Sequence, residues 1–203
     1  MKIGPRYKKA RYLGAPVFRK TQTQKFAMRS QRKTKTMGGR RGMKSEYGKQ
    51  MLEKQKARFS YGVGGKQFTN YVKKALQTTG DNAKNLMKLL EGRLDNVMVR
   101  AGFAPTRSAA RQMVSHGHIK VNDVIVTIPS YQVSVGDLMT IREGSKNKVI
   151  FSKIDEELAN FKWPAWMTVD AGKREIKIAS DPVVADMSEL LFDVRQVLEF
   201  YTR

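Results

Sequence analysis

The sequence predicts an α+β protein preceded by a basic arm, and three observations carry that reading. Apolar residues recur at helical spacing from Phe68 to Val114, and after Gly117 the period changes to two. Of the 39 Lys and Arg, 19 fall in residues 1–58, where Glu46 and Glu53 are the only acids. A period near 3.6 marks amphipathic helices and a period of two marks half-buried strands, so a mostly helical body with a small antiparallel sheet is expected.

The 203 residues suffice for one large domain or two small ones, and a hydrophobic content of 40% can fill a core in each. The formal net charge of +21 opposes compaction unless a polyanion neutralises it. Nucleic acid is the default partner. An anionic membrane surface and an acidic protein are the alternatives, since a basic surface alone does not choose among them. No apolar run approaches the roughly 18 residues needed to span a bilayer, and no apolar stretch follows the first basic residues as a secretory signal requires. A soluble, intracellular protein without membrane partners is therefore expected. The absence of cysteine removes disulfides, thiolate zinc sites and cysteine nucleophiles, leaving His116 and His118 as the candidate metal ligands.

Residues 1–58 carry +17 of the total and the remainder +4. Before Tyr47 no helical or strand period is visible, so residues 1–44, including the stretch around Arg40 and Arg41, are expected to be poorly ordered alone and to order on RNA. An Arg-rich, acid-poor organellar transit peptide is the competing reading. Against it, Tyr7, Tyr12 and Phe18 alternate with Arg6, Lys8, Lys9, Arg11 and Arg19, a mixture suited to stacking on unpaired bases while gripping phosphates. Each aromatic can equally be a packing residue.

Phe68, Tyr71, Val72, Ala75 and Leu76 predict one amphipathic helix ending before Gly80, and Asp81 opens a second with Ala83, Leu86, Met87 and Leu90. Leu94, Val97, Met98 and Ala101 make a third, stopped at Gly102 with Phe103 placed for the hydrophobic contact of a Schellman end. Thr106 can cap the next, whose apolar side is Ala109, Ala110, Met113 and Val114 and whose stop is Gly117. Arg107 and Arg111 lie one turn apart on its other side, flanked by Ser108 and Gln112. No Asp or Glu occurs from Thr106 to Asn122, so these arginines are expected to be unpaired phosphate ligands rather than a solvated basic face.

Beyond Gly117, Ile119 and Val121 face one way and His118 and Lys120 the other, before Asn122-Asp123 turns the chain into Val124-Ile125-Val126. Tyr131, Val133 and Val135 alternate as a further strand, and Leu138 to Arg142 make the next. The apolar stripe Leu190, Leu191, Val194, Val197, Leu198 and Tyr201 predicts a final helix that needs a partner among the helices of residues 45–91.

The run Gly92-Arg93-Leu94-Asp95-Asn96-Val97, then Gly102-Phe103-Ala104, Arg107, Ala110-Arg111-Gln112, Ser115-His116-Gly117-His118-Ile119-Lys120-Val121-Asn122 and Ile128-Pro129-Ser130-Tyr131 resembles the S-four RNA-binding domain. Flanking segments, Glu53 to Arg58, Tyr61-Gly62-Val63 and Trp166 to Gly172, are similar to the S-four family of small-subunit ribosomal proteins, so the likeness spans residues 45–178. Beyond the basic arm of 1–44 that the charge count marks, the resemblance implies a discontinuous helical domain of 45–91 and 160–203 and an inserted S-four module over 92–159, two helices packed on a small sheet.

It also implies a structural constituent of the small ribosomal subunit that binds 16S-type ribosomal RNA, helps nucleate assembly of the subunit body and contributes to translational accuracy. Implied neighbours are an S-five relative, an S-three relative and messenger RNA near its path into the ribosome, in the cytoplasm or in an organellar matrix. RNA contacts are expected at Arg93, Asn96, Arg100, Thr106, Arg107, Ser108, Arg111, Gln112, His116, Gly117, His118 and Lys120, with the arm's Arg6, Lys8, Lys9, Arg11, Arg40 and Arg41 and with Lys54, Lys56 and Arg58. Where some members carry an N-terminal cysteine cluster for zinc, this chain has none, so neither metal nor cofactor is expected.

Gly92-Arg93-Leu94-Asp95 also resembles a tetrapeptide of pseudouridine synthases, in which the Asp is catalytic. Here it opens a helix inside the module, where Asp95 complements the helix dipole, and too little chain follows for a catalytic domain of ordinary size. No enzymatic activity is expected. A stand-alone ribosome-associated factor is the remaining alternative, disfavoured by the likeness from Glu53 to Gly172. His116 and His118, separated by a helix-end glycine with no nearby carboxylate, suit RNA contact better than metal.

Overall fold

The structure, a computed structural model, describes residues 3–29, 45–152, 154, 158, 161–182 and 190–202. The chain divides into two compact units, one of Met1–Ala83 with Asp186–Arg203 and one of Lys84–Ala185.

In the first unit, α1 (Arg6–Leu13), α2 (Glu46–Tyr61) and α3 (Gly65–Gln77) are followed near the chain's end by α7 (Val194–Thr202). Ser45 caps α2 by accepting from the Gly48 N–H, and Gly62 ends it in the left-handed conformation. As the apolar stripes predict, α7 pairs with α2: the Tyr47 and Phe200 rings lie 5.4 Å apart, and Gln50 donates to Glu199 at 3.1 Å. From α3, Thr69 and the Tyr201 hydroxyl share a hydrogen bond of 3.1 Å.

The described part of the arm departs from expectation. Ala10 and Leu13 of α1, with Ala15, Val17 and Phe18, form a buried cluster with Leu52 and Phe59 of α2, and Thr21 closes a tight turn through its hydroxyl, bonded to the Phe18 carbonyl at 2.7 Å. Too few apolar residues are involved to show a period, but burying them on a neighbouring helix compensates the ordering cost. Residues 30–44, including Arg40 and Arg41, lie outside the described residues.

The second unit holds α4 (Asn82–Glu91, whose first two residues belong to the first unit), α5 (Leu94–Arg100), α6 (Arg107–Ser115) and a five-stranded antiparallel sheet of order β2-β1-β3-β5-β4. The strands are β1 (Ile119–Val121), β2 (Val124–Ile125), β3 (Leu138–Ile141), β4 (Met167–Asp170) and β5 (Glu175–Ile178). Asn122 and Asp123 both take positive φ, 48° and 63°, as a two-residue hairpin turn requires. Leu94, Val97, Met98, Ala110, Val114, Ile119, Met139, Ile141, Ile176 and Ile178 build one core between α5, α6 and the sheet.

Two expectations are corrected here. Tyr131 to Val135 is not a strand of the sheet. It runs beside the entrance to α5, where the Tyr131 and Pro129 carbonyls accept from the Leu94 and Asp95 N–H groups at 2.9 and 3.1 Å, satisfying first-turn donors that a helix cannot satisfy itself. The module also extends beyond 92–159 on both sides. Gln132 donates to the Leu89 carbonyl at 3.1 Å, tying in the end of α4, and β5 pairs with β3 through Leu138↔Lys177, Met139↔Ile176 and Thr140↔Glu175.

Candidate nucleic-acid interface

Thr106 caps α6 as its position predicts, its hydroxyl accepting from the Ala109 N–H at 3.2 Å, and Gly117 stops the helix with φ 68°. This sets Arg107 and Arg111 one turn apart, with Ser108, Gln112 and His116 exposed beside them. The two arginines are nevertheless not unpaired. Arg111 Nε donates to Asp95 Oδ2 at 2.5 Å, and Arg107 Nε donates to Asn96 Oδ1 at 2.8 Å. The expected absence of a nearby acid fails because the acceptors come from α5, which packs against α6, and not from α6's own sequence neighbourhood.

Behind these contacts lies a buried polar layer. Asp95, Asn96 and Glu91 are all fully buried. Arg93, also buried, forks onto Asp95 through Nε and Nη2 at 2.9 and 2.8 Å. Glu91 accepts from Arg100 at 2.9 and 2.7 Å and from Asn96 Nδ2 at 2.6 Å. Two carboxylates thus serve Arg93, Arg100 and Arg111 directly and Arg107 through Asn96. Burying a carboxylate is costly unless it is fully paired and hydrogen-bonded, and here both are. The Arg100 and Arg111 side chains remain 37% and 26% exposed, so each guanidinium is anchored from beneath at the protein surface.

Burial separates the expected RNA ligands into groups. Arg93 and Asn96 are interior residues of this layer, and Gly117 is buried below the hairpin, where a Cβ would stand 3.4 Å from Ile125 Cγ2. His118 is interior too: its Nδ1 lies 2.9 Å from Ser145 Oγ and its ring meets Phe151 edge-on. Burial, then Lys148, His116 and Arg142, lowers its pKa. The polar atoms or space of these four are therefore already used within the protein. Arg100, Thr106, Arg107, Ser108, Arg111, Gln112, His116 and Lys120 reach the surface fully or in part.

In the first unit, Arg6, Lys8 and Arg11 are exposed, whereas Lys9 bonds the Ile3 carbonyl and lies 4.9 Å from the Phe59 ring centre. Lys54 sits 4.1 Å above the Phe200 ring, its pKa lowered by burial and then by Arg58. Lys56 pairs with Glu53 at 2.6 Å, and Arg58 lies over Phe59. These last three serve packing within α2 and α7 at least as much as any ligand.

Among the described residues no group of three or more His, Cys, Asp or Glu could hold a metal ion, and no helix is long and apolar enough to cross a membrane.

Residues 1–91 match the family model "Ribosomal protein S4/S9 N-terminal domain", and residues 92–138 match "S4 domain". The chain is 43% identical over 99% of its length to "Small ribosomal subunit protein uS4" of Chromobacterium violaceum, covering 98% of that protein. It is 42% identical, with the same coverage, to the protein of that name from Marinobacter nauticus. It is 44% identical to that from Chlorobium luteolum over 81% of each chain. These two family matches and the near-full-length likeness to the relatives lead to one conclusion: the chain belongs to the ribosomal protein S4 family of the small ribosomal subunit.

Proposed function

We propose that this chain is a structural, non-catalytic constituent of the small ribosomal subunit. It binds small-subunit ribosomal RNA through the surface of α5, α6 and the β1–β2 hairpin, helps nucleate assembly of the subunit body and contributes to translational accuracy. The ribosomal setting is supported by the relatives' names. The observation that carries the RNA reading is the pair Arg107 and Arg111, each held through Nε by a buried acceptor at the surface of a chain of net charge +21. Anchored forks of this kind suit the planar, bidentate grip of phosphate. Ser108, Gln112, His116 and Lys120 extend the surface and Arg100 borders it, while Arg6, Lys8 and Arg11 add charge that reads no sequence. Neighbouring proteins of the S-five and S-three families and messenger RNA near its path into the ribosome complete the proposed setting, in the cytoplasm.

The synthase-like reading of Asp95 has no support in this geometry. A carboxylate with no solvent exposure, taken by Arg93 and Arg111, is placed for holding arginines and not for attacking a nucleoside.

The test is RNA binding by variants. Arg107→Ala and Arg111→Ala should each weaken binding to small-subunit ribosomal RNA by about 1–3 kcal/mol in a filter or gel assay. Arg111→Lys should also lose affinity because charge without the fork cannot replace it. Wild-type affinity in all three would reduce this face to a solvated surface.

A further inference from the structure

We propose that Phe161 and Trp163, with Lys162 between them, form a stacking platform for an unpaired base of ribosomal RNA at the C-terminal end of α5; this rests on the RNA-binding reading above. Phe161 and Trp163 each remain 38% exposed, whereas Trp166, three positions on, is 6% exposed and belongs to the core. Both rings are held by the residues that end α5. The Trp163 indole N–H donates to the Ala101 carbonyl at 3.2 Å, which fixes it on the C-cap of that helix. Phe161 lies against Gly102, where a Cβ would stand 3.1 Å from its Cγ and Cδ2, and the φ of 84° at Gly102 favours glycine for a second reason. The segment is tied by the backbone as well, the Phe161 N–H donating to the Leu158 carbonyl at 3.1 Å and the Met167 N–H to the Pro164 carbonyl at 3.2 Å. Two aromatic rings are thus set in place before a ligand arrives, and part of each faces water. Rings fixed in this way lose little freedom on binding.

The surroundings of the rings favour RNA over a protein as the occupant. Lys162 is exposed between them. The cores of protein interfaces are depleted in lysine, whereas sites for unpaired nucleotides set cations beside the rings that stack on bases. The platform is also seated on the connection between the two helices of the RNA surface. Arg100, the residue before Ala101, keeps its side chain 37% exposed and borders that surface. From Gly102 the chain passes through the exposed Pro105 to Thr106, the cap of α6, and then to Arg107. A strand gripped there by its phosphates leaves its unpaired bases to be taken by their faces, and since every base has a face the platform adds affinity without reading sequence.

The experiment uses the full chain and a small-subunit ribosomal RNA transcript. The double variant Phe161→Leu/Trp163→Leu should bind about 5- to 100-fold more weakly, as the loss of one stacked base predicts, with the slope of affinity against salt unchanged because no phosphate contact is lost. Phe161→Tyr and Trp163→Phe keep the rings and should bind close to wild type. Short-wavelength irradiation of the wild-type complex should crosslink RNA to Phe161 or Trp163. Wild-type affinity in the leucine pair, or weaker binding with a reduced salt slope, would overturn the platform. If the leucine pair fails to fold, the crosslink decides, and its absence from both residues overturns the platform equally. Unchanged RNA binding by the leucine pair, with a neighbouring protein lost from subunits reconstituted with it, would overturn it in favour of a protein contact. Failure of the earlier reading is distinct, since Arg107→Ala and Arg111→Ala would then bind as wild type.

Discussion

The two units of this basic protein place their cations in different ways. In the second unit, Arg100, Arg107 and Arg111 are held by Glu91, Asn96 and Asp95, acceptors fully enclosed by the core. In α1 of the first unit, Arg6, Lys8 and Arg11 stand on an exposed helix face, with Arg11 Nε donating to the Tyr7 carbonyl at 3.3 Å, and the backbone of α1 is seated on α2 through Ala10 and Leu13. A guanidinium anchored from beneath by a buried acceptor can demand a geometry from its ligand. A flexible side chain on an exposed face supplies potential, which any phosphate backbone answers. Most of the charge sits in the region without the anchoring, so attraction and discrimination are divided between different parts of one chain.

The sharpest way to break this contrast is to remove an anchor. Asp95→Ala leaves Arg93 as a buried cation without its carboxylate, and urea unfolding should show a loss of about 3–5 kcal/mol. A loss below 1 kcal/mol would mean that Arg93 finds another partner and that the layer is not an anchor. Phe18→Ala tests the first unit. Removing a buried ring from the small cluster with Leu52 and Phe59 should cost up to about 3–5 kcal/mol, less where the cluster can collapse. Limited proteolysis should then cut the variant within residues 6–21, where the wild type resists; equal cutting of both would show that the cluster does not hold the arm.

A smaller effect comes from Gly92→Ala. A Cβ there would stand 2.9 Å from the Lys88 carbonyl and 3.3 Å from Pro182 Cγ, so thermal unfolding should reveal a loss of about 1–3 kcal/mol. The smallest concerns pH. The folded chain lowers the pKa of His118 below its ordinary 6.5, so as pH falls below that value the unfolded chain takes up more protons than the folded one. Stability should therefore decline on acidification from 6.5, and His118→Gln should flatten that part of the stability profile. An unchanged profile would show that the ring is not held neutral.

Much of this was legible along the chain. Thr106 as a cap, Gly102 and Gly117 as stops, Asn122-Asp123 as a turn and the apolar stripe of α7 are local signals, and each names its own element. What escaped depends on partners distant in sequence. Asp95 stands out along the chain as a first-turn acid and as part of a synthase-like tetrapeptide, and nothing near Arg111 points to a carboxylate 16 residues away. Tyr131 to Val135 alternates like a strand, yet its carbonyls serve the start of α5. The strands β4 and β5 lie in short, mixed runs around Trp166 and Glu175 that carry little period, and α1 hides its packing residues among lysines and arginines. Among the expected ligands, exposure separated Arg107 and Arg111 from Arg93 and Asn96, a distinction that spacing on one helix cannot make.

The sheet order β2-β1-β3-β5-β4 has a consequence for how the chain is made. The match to the S4 domain ends at Leu138, the first residue of β3, and the outer side of that strand is closed by Glu175–Ile178. During synthesis from the N-terminus, β1, β2 and β3 leave the exit tunnel before the strand that covers β3 emerges. Until then Met139 and Ile141, both buried in the finished fold, border an open row of backbone donors and acceptors, the template on which strands of separate chains join. A ribosome that pauses with β3 outside the tunnel and β5 still within it would hold a nascent chain prone to self-association, and release of β5 would seal it.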